Sequence, residues 1–184
     1  FGSLRGGRSV GGFGDAESFS LSPTKLVTAG EGGILATNSD ELAQKVRVGR
    51  NYGDSGDYDP EFSGLNARMS EANALLGVES LKLLEKNVAW RNRMAQLYKS
   101  RLSKLPGLSF QAIAKGDRSS FKDFSVLIDE RGFGMGRDAL HQALLSENII
   151  VKNYFHPPLH WQKAFKAYGQ SAKSLPNTER LSCG

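Results

Sequence analysis

Three groups of residues in this 184-residue chain have types and spacings that could do chemistry. The first centres on Lys25, inside Ser18-Phe19-Ser20-Leu21-Ser22-Pro23-Thr24-Lys25-Leu26-Val27-Thr28. Phe19, Leu21 and the Leu26–Thr28 run suit buried extended backbone, and Ser-Pro-Thr-Lys between them reads as a tight break. Loss of water favours the neutral form of an amine, and the neutral form attacks a carbonyl. Spacing alone still favours an ordinary solvated lysine, because Lys is rarely fully buried. The second group is His156 and His160, four residues apart, which on a helix would make a metal pair. Pro157 and Pro158 forbid a regular helix there and no third ligand is evident, so no metal is expected. The third is Asp54, Asp57 and Asp59, whose surroundings lack the glycine and terminal glutamate of a calcium loop; a solvated loop is expected.

The remaining candidates have plainer readings. Cys183 is the lone cysteine, which excludes an internal disulfide and has no visible partner to activate it. Gly11-Gly12-Phe13-Gly14 and Phe133-Gly134-Met135-Gly136 look like phosphate loops. The first lacks the strand and helix that the dinucleotide fingerprint needs, and the second reads as the start of a helix.

The elements that must position these residues follow from periodicity. The glycine-dense start is loop with a short strand near Ser9-Val10. A strand is expected over Glu17–Ser22, and Leu26–Thr28 and Ile34–Thr37 read as two strands of a hairpin turned by Ala-Gly-Glu-Gly-Gly. Asn38 and Glu41 resemble a capping box opening a helix that stops before Gly49. Asn51, before Tyr52-Gly53, reads as a turn asparagine tolerating left-handed backbone. From Ser70 a long helix is predicted through Leu75, Leu76, Leu81, Leu84, Val88, Ala95, Tyr98, Leu102 and Leu105, with a kink near Asn87 and a stop at Pro106-Gly107. Arg68 and Glu71, at its start, are assigned an ion pair or a capping role. Further on, strands over Phe121–Ile128 and Ile149–Asn153 flank a helix over Arg137–Glu147, giving a small α/β lobe. Residues 170–184 read as a polar tail.

Composition limits the classes. The chain is 39% hydrophobic and 23% charged, as expected of a globular protein with a core. No apolar run approaches a membrane span, and no export signal is evident at the start. With a single cysteine, a reducing cytoplasm is expected. The net charge of +5 and pI near 9.4 suggest nucleic acid at first sight. The 24 Lys and Arg residues are scattered and interleaved with acidic ones, so nucleic-acid binding is not expected.

The residues also carry a resemblance. SFSLSPTKLVTAGEGGILAT, with GDAESFS before it and VRVGRNYG, GLNARMSEANALLG and YFHPPLHWQKAF after it, resembles the DegT/DnrJ/EryC1/StrS family of sugar aminotransferases dependent on pyridoxal 5'-phosphate (PLP). The likeness implies an α/β fold, part of a fold-type I PLP-transferase. Residues 1–69 would be the end of the large domain, 70–105 the long interdomain helix, and 106–184 the small C-terminal lobe. It implies that Lys25 forms a Schiff base with PLP, and that Ser20 reaches the PLP phosphate. Asn51 would reach the phosphate of the neighbouring subunit's cofactor in a homodimer. Tyr154, His156 and His160 would contact the sugar, with Trp161 packing. The substrates implied are a keto sugar nucleotide and an amino acid donor. The family's aspartate for the pyridine nitrogen and its phosphate turn would lie upstream of Phe1. The alternative expectation is therefore a truncated, catalytically incompetent fragment acting as a folding or oligomerisation module.

Overall fold

A computed structural model describes residues 1–169 and 175–184. The chain divides into two units, Phe1–Met94 with Ile113–Lys122, and Ala95–Ala112 with Asp123–Gly184.

In the first unit, β1 (Leu4–Arg5) pairs antiparallel with β2 (Arg8–Ser9). Leu4 also exchanges backbone hydrogen bonds with Arg118, at 2.8 and 2.9 Å. β3 (Ala16–Ser20) pairs antiparallel with β4 (Gly33–Thr37), from Ala16 opposite Thr37 to Ser20 opposite Gly33. The expected hairpin between Leu26–Thr28 and Ile34–Thr37 does not form. Its second strand is paired with β3, and residues 21–32 close as a loop. At the neck, Leu21 N–H donates to Gly32 O and Ala29 N–H to Leu21 O, each at 2.9 Å. The apolar run that reads as a strand is instead the plug of the core: Leu21, Val27 and Ala29 are 1%, 2% and 0% exposed. Phe1, Met69 and Leu84 pack against them.

α1 (Asp40–Gly49) begins one residue later than expected and includes Gly49. Ser39 is its cap, with the hydroxyl accepting from Leu42 N–H at 3.1 Å. Ser39 N–H is itself held by Thr37 Oγ1 at 3.1 Å, which fixes this residue, and not Asn38, at the cap position. After α1 the backbone doubles back: Leu65 N–H donates to Gly49 O at 2.8 Å and Ala67 N–H to Arg50 O at 2.9 Å.

The single long helix predicted from Ser70 is two. α2 (Glu71–Lys82) is capped by Ser70, and α3 (Leu84–Leu102) follows after Leu83, whose backbone (φ −90°, ψ −2°) interrupts the run ahead of the expected kink at Asn87. Val88 and Ala95 are buried, but Leu75, Leu76 and Leu81 of α2 are exposed. An apolar helical stripe thus marks a face without guaranteeing that it is covered within the chain.

In the second unit, β5 (Leu108–Phe110) pairs antiparallel with β6 (Val126–Ile128). The strand predicted over Phe121–Ile128 is cut to its last three residues. Phe121 has φ +44°, and the Arg91 guanidinium takes the carbonyls of Phe121 and Lys122 at 2.9 and 2.8 Å, so this backbone is spent outside a sheet. α4 (Glu130–Phe133) and α5 (Arg137–Ser146) follow. The strand expected over Ile149–Asn153 is absent; Asn153 is instead bonded through its side chain to His141 and Asp138. The lobe is therefore a β-hairpin followed by helices, not strand, helix, strand. Short 3-10 turns (Leu159–Trp161, Lys163–Phe165) and α6 (Lys166–Gly169) precede α7 (Pro176–Cys183). Of the expected polar tail, 170–174 lies outside the described residues and Pro176–Cys183 is helical, with Pro176 in the first turn where its missing N–H costs nothing. No helix among the described residues is long and apolar enough to cross a membrane.

Candidate active site

The Ser-Pro-Thr-Lys segment forms the tight break expected of it. Lys25 N–H donates to Ser22 O at 3.0 Å, closing a turn over Pro23 and Thr24. At its base, Ser20 Oγ lies 3.4 Å from both Ser22 Oγ and Ser22 N. Lys25 is half-buried, between exposed Thr24 and the core residue Val27. An extended chain would point Ser20 and Lys25 to opposite faces, and the turn removes that constraint.

The loop is gripped from α2 by residues that sequence reasoning did not select. Asn73 Nδ2 donates to Ala29 O at 2.7 Å and to Glu31 O at 3.1 Å. Ser80 Oγ accepts from Thr28 N–H at 3.0 Å. Thr28 Oγ1 in turn donates to Leu21 O at 3.2 Å and accepts from Gly30 N–H at 3.1 Å. Between them, a Cβ on Gly77 would stand 3.4 Å from the Ala29 methyl, so the absence of a side chain lets helix and loop touch. A glycine inside a helical pattern was the available signal.

Asn51 lies where α1 ends. Its Nδ2 donates to Asp54 O at 3.2 Å, a turn role, but the left-handed residue is Tyr52 (φ +62°) and not Asn51. Beside it opens a pocket of about 290 Å³ lined by Arg47, Arg50 and Arg68 together with Asn51, Asp54 and Ser55. Arg68 stacks over the Tyr52 ring, 5.3 Å from its centroid, in place of the expected ion pair.

Tyr154, His156 and His160 belong to the second unit. His156 Nδ1 lies 3.1 Å from Ser182 O and 3.2 Å from Ser182 Oγ, which donates to Phe155 O at 2.6 Å. His160 Nε2 is 3.1 Å from Glu179 Oε1. The two histidines thus hold different residues of α7, and Trp161 is set edge-on to both rings. The Tyr154 ring lies against Phe155, centroids 3.9 Å apart. Nearby, hydrogen bonding from Arg137, then its charge, holds the Asp138 carboxyl below its ordinary range, and Asn153 Nδ2 adds a bond at 2.9 Å. No cluster of three or more His, Cys, Asp or Glu able to hold a metal occurs among the described residues.

Comparison with known proteins supplies the context. The model of the DegT/DnrJ/EryC1/StrS aminotransferase family matches residues 1–183. The spore coat polysaccharide biosynthesis protein SpsC of Bacillus subtilis is 30% identical over 92% of this chain and 47% of its own length. The dTDP-3-amino-3,4,6-trideoxy-alpha-D-glucose transaminase of Micromonospora megalomicea is 34% identical over 98% of this chain and 48% of its own. The structure of DesI with its TDP-sugar product superposes with a TM-score of 0.89 at 34% identity, covering 99% of this chain and 46% of that one. The chain therefore spans about half the length of the relatives it matches, with a mixed α/β fold common to both. On these grounds the chain belongs to the DegT/DnrJ/EryC1/StrS aminotransferase family.

Proposed function

We propose that this chain supplies the lysine-bearing part of a PLP-dependent aminotransferase that transfers an amino group from an amino acid donor to a keto nucleotide-sugar. The observation that carries this is the lysine turn, in which one amine (Lys25) and two hydroxyls (Ser20, Ser22) share a backbone clamped by α2. The donor set fits the cofactor: a primary amine takes up an aldehyde, and hydroxyl donors suit a phosphate. When bound, PLP supplies the electron sink that transamination requires. Lys25 would hold it, and the Lys25 amine would serve as general base for the proton on the donor's Cα. Ser20 would donate to the cofactor phosphate. Asn51 uses one amide hydrogen on Asp54 O and offers the other to the phosphate held by a neighbouring subunit, so the working form is a homodimer. Tyr154, His156 and His160 face the sugar. Residues 1–69 close the large domain, 70–105 form the connecting helices and 106–184 the small domain of a cytoplasmic enzyme.

The test is chemical trapping. The chain is incubated with PLP, reduced with borohydride and peptide-mapped. A pyridoxyl group confined to Lys25 is expected, and labelling spread evenly over the lysines, or none, would refute the assignment and favour a non-catalytic module.

A further inference from the structure

The chain leaves the first unit after Met94 and rejoins it for one short stretch, Ile113–Lys122. Within that stretch Arg118 binds three separate parts of the unit at once. Its backbone exchanges both hydrogen bonds with Leu4. Its Nε donates to Gly2 O at 3.1 Å, and Nη1 and Nη2 donate to Glu85 Oε2 and Oε1 at 2.8 and 3.0 Å. Hydrogen bonding from this fork holds the Glu85 carboxyl below its ordinary range. The Glu85 side chain is largely exposed, so the ion pair itself adds little stability. Its geometry matters more, because a bidentate fork fixes the plane of the guanidinium and with it the direction of Nε.

What Nε holds is a wedge. Gly2 has φ +81°, and a Cβ there would stand 2.5 Å from Val88 Cγ2, 3.2 Å from Leu84 Cδ1 and 3.5 Å from Leu26 Cδ2. Gly2 therefore sits between α3 and the residue that follows Lys25. Phe1 packs on the cluster of Leu21, Val27 and Ala29, with its ring 4.4 Å from that of Phe19. The two wedge residues thus meet both arms of the lysine turn, Phe19 ahead of it and Leu26 behind it. A backbone bond, Lys25 N–H to Ser22 O at 3.0 Å, closes the turn, and its arms rest on this wedge.

We infer that Arg118 is a positioning residue for Lys25. It acts through the wedge: the guanidinium, aligned on Glu85, fixes the Gly2 carbonyl, and Phe1 and Gly2 set the spacing of the two arms that carry Lys25. The residues that follow are held as well, with Ser120 N–H donating to Ser3 Oγ at 3.0 Å and Arg118 paired to Leu4, so the wedge cannot slide along the chain. A lysine could not do the same, because an ammonium lacks the rigid fork that serves Gly2 O and both Glu85 oxygens together. That Lys25 is the reacting amine rests on the aminotransferase reading above, whereas the hold of Arg118 on its turn rests on this chain's contacts alone.

The test uses the 184-residue chain and two readouts that need no PLP. One is hydrogen exchange at Lys25 N–H. The other is pulsed acetylation with acetic anhydride, read by peptide mapping as the ratio of label on Lys25 to label on Lys45, an exposed lysine of α1. Arg118→Lys should lower Lys25 N–H protection by about tenfold, the effect of losing one charge-assisted bond, and should raise the acetylation ratio. Glu85→Gln keeps an acceptor but loses the symmetric fork, and should fall between wild type and Arg118→Lys. Ser39→Ala destabilises the chain from α1 without touching the wedge, and should leave both readouts within about twofold of wild type. With PLP and borohydride, the share of pyridoxyl label on Lys25 should fall in Arg118→Lys even as acetylation there rises, a reversal that a mere structural brace does not produce. Unchanged protection in Arg118→Lys, an equal change in Ser39→Ala, or an undiminished pyridoxyl share overturns the assignment. Should Arg118→Lys not fold, Glu85→Gln decides, and its equality with wild type overturns it too. If wild type takes no pyridoxyl on Lys25, the aminotransferase reading falls, and exchange with acetylation still judges Arg118.

Discussion

Replacing Asn73 by alanine should loosen the lysine loop from a distance. Asn73 Nδ2 spans two carbonyls, those of Ala29 at 2.7 Å and Glu31 at 3.1 Å, on either side of Gly30. A net contribution of about 1 kcal/mol per bond gives about 2 kcal/mol for the pair. The Ala29 carbonyl belongs to a residue with no exposure, so water replaces that lost partner poorly and the estimate is a lower one. With a urea slope of about 2 kcal/mol per molar, the unfolding midpoint should fall by about 1 M. Asn73→Asp keeps the shape and the Ser70 contact's position but removes the amide donor, so it should lose at least as much. Ser80→Ala, which leaves one N–H (Thr28) unpaired, should lose about half. Urea unfolding followed by tryptophan fluorescence measures all three, and hydrogen exchange at Ala29 N–H, which bonds Leu21 O, localises the effect to the loop. A midpoint unchanged in Asn73→Asp would refute the view that the amide bonds hold the loop.

Three further outcomes are expected. Ser39→Ala removes the hydroxyl that caps α1 and should lower stability by about 1 kcal/mol, read as a fall in helicity and thermal midpoint; an unchanged midpoint would locate the cap elsewhere. Gly64→Ala places a methyl against the backbone of Tyr52 and Gly53, and should cost about 1–3 kcal/mol or more by thermal unfolding, since no side chain there can move aside. Asp138 has its carboxyl held below the ordinary range by Arg137, so its contribution is present above that range and is lost as pH falls through the lowered value. Wild type and Asp138→Asn should therefore converge in thermal midpoint as pH is taken down through the carboxylate range, and parallel curves would show that the pair contributes nothing.

The lysine turn was legible because its signal is local: Pro23 and the flanking serines specify a tight break whatever surrounds them. The strand at Leu26–Thr28 was misread because alternation and β-branching report burial, not the partner that provides it. Here the cover comes from Met69 and Leu84, more than forty residues on in the case of Met69, and from α2. The break at Leu83 carried no proline or glycine, so periodicity ran straight through it. Phe121 and Asn153 failed as strand residues for a similar reason, since a distant arginine or a neighbouring helix took their polar groups. Pro157 and Pro158 keep His156 and His160 off one regular helix, with His160 in a 3-10 turn, but their pairing with α7 depends on contacts twenty-six and nineteen residues away. The arginine pocket was legible only in part: Arg47, Arg50 and Arg68 lie in the segments VRVGRNYG and GLNARMSEANALLG, but that they line one concavity shows only once the backbone doubles back.

The clamp of α2 on the lysine loop also dictates an order of assembly. Asn73 reaches Ala29 across 44 residues and Ser80 reaches Thr28 across 52, so closing these contacts carries the entropy of a long chain loop. During synthesis from the N-terminus, β3 and β4 can pair as soon as Thr37 has emerged, while the segment between them still lacks its grip. The amine at Lys25 is thus chemically present well before it is held in place. Its final geometry is set only when Ser80, translated some fifty residues later, has left the ribosome.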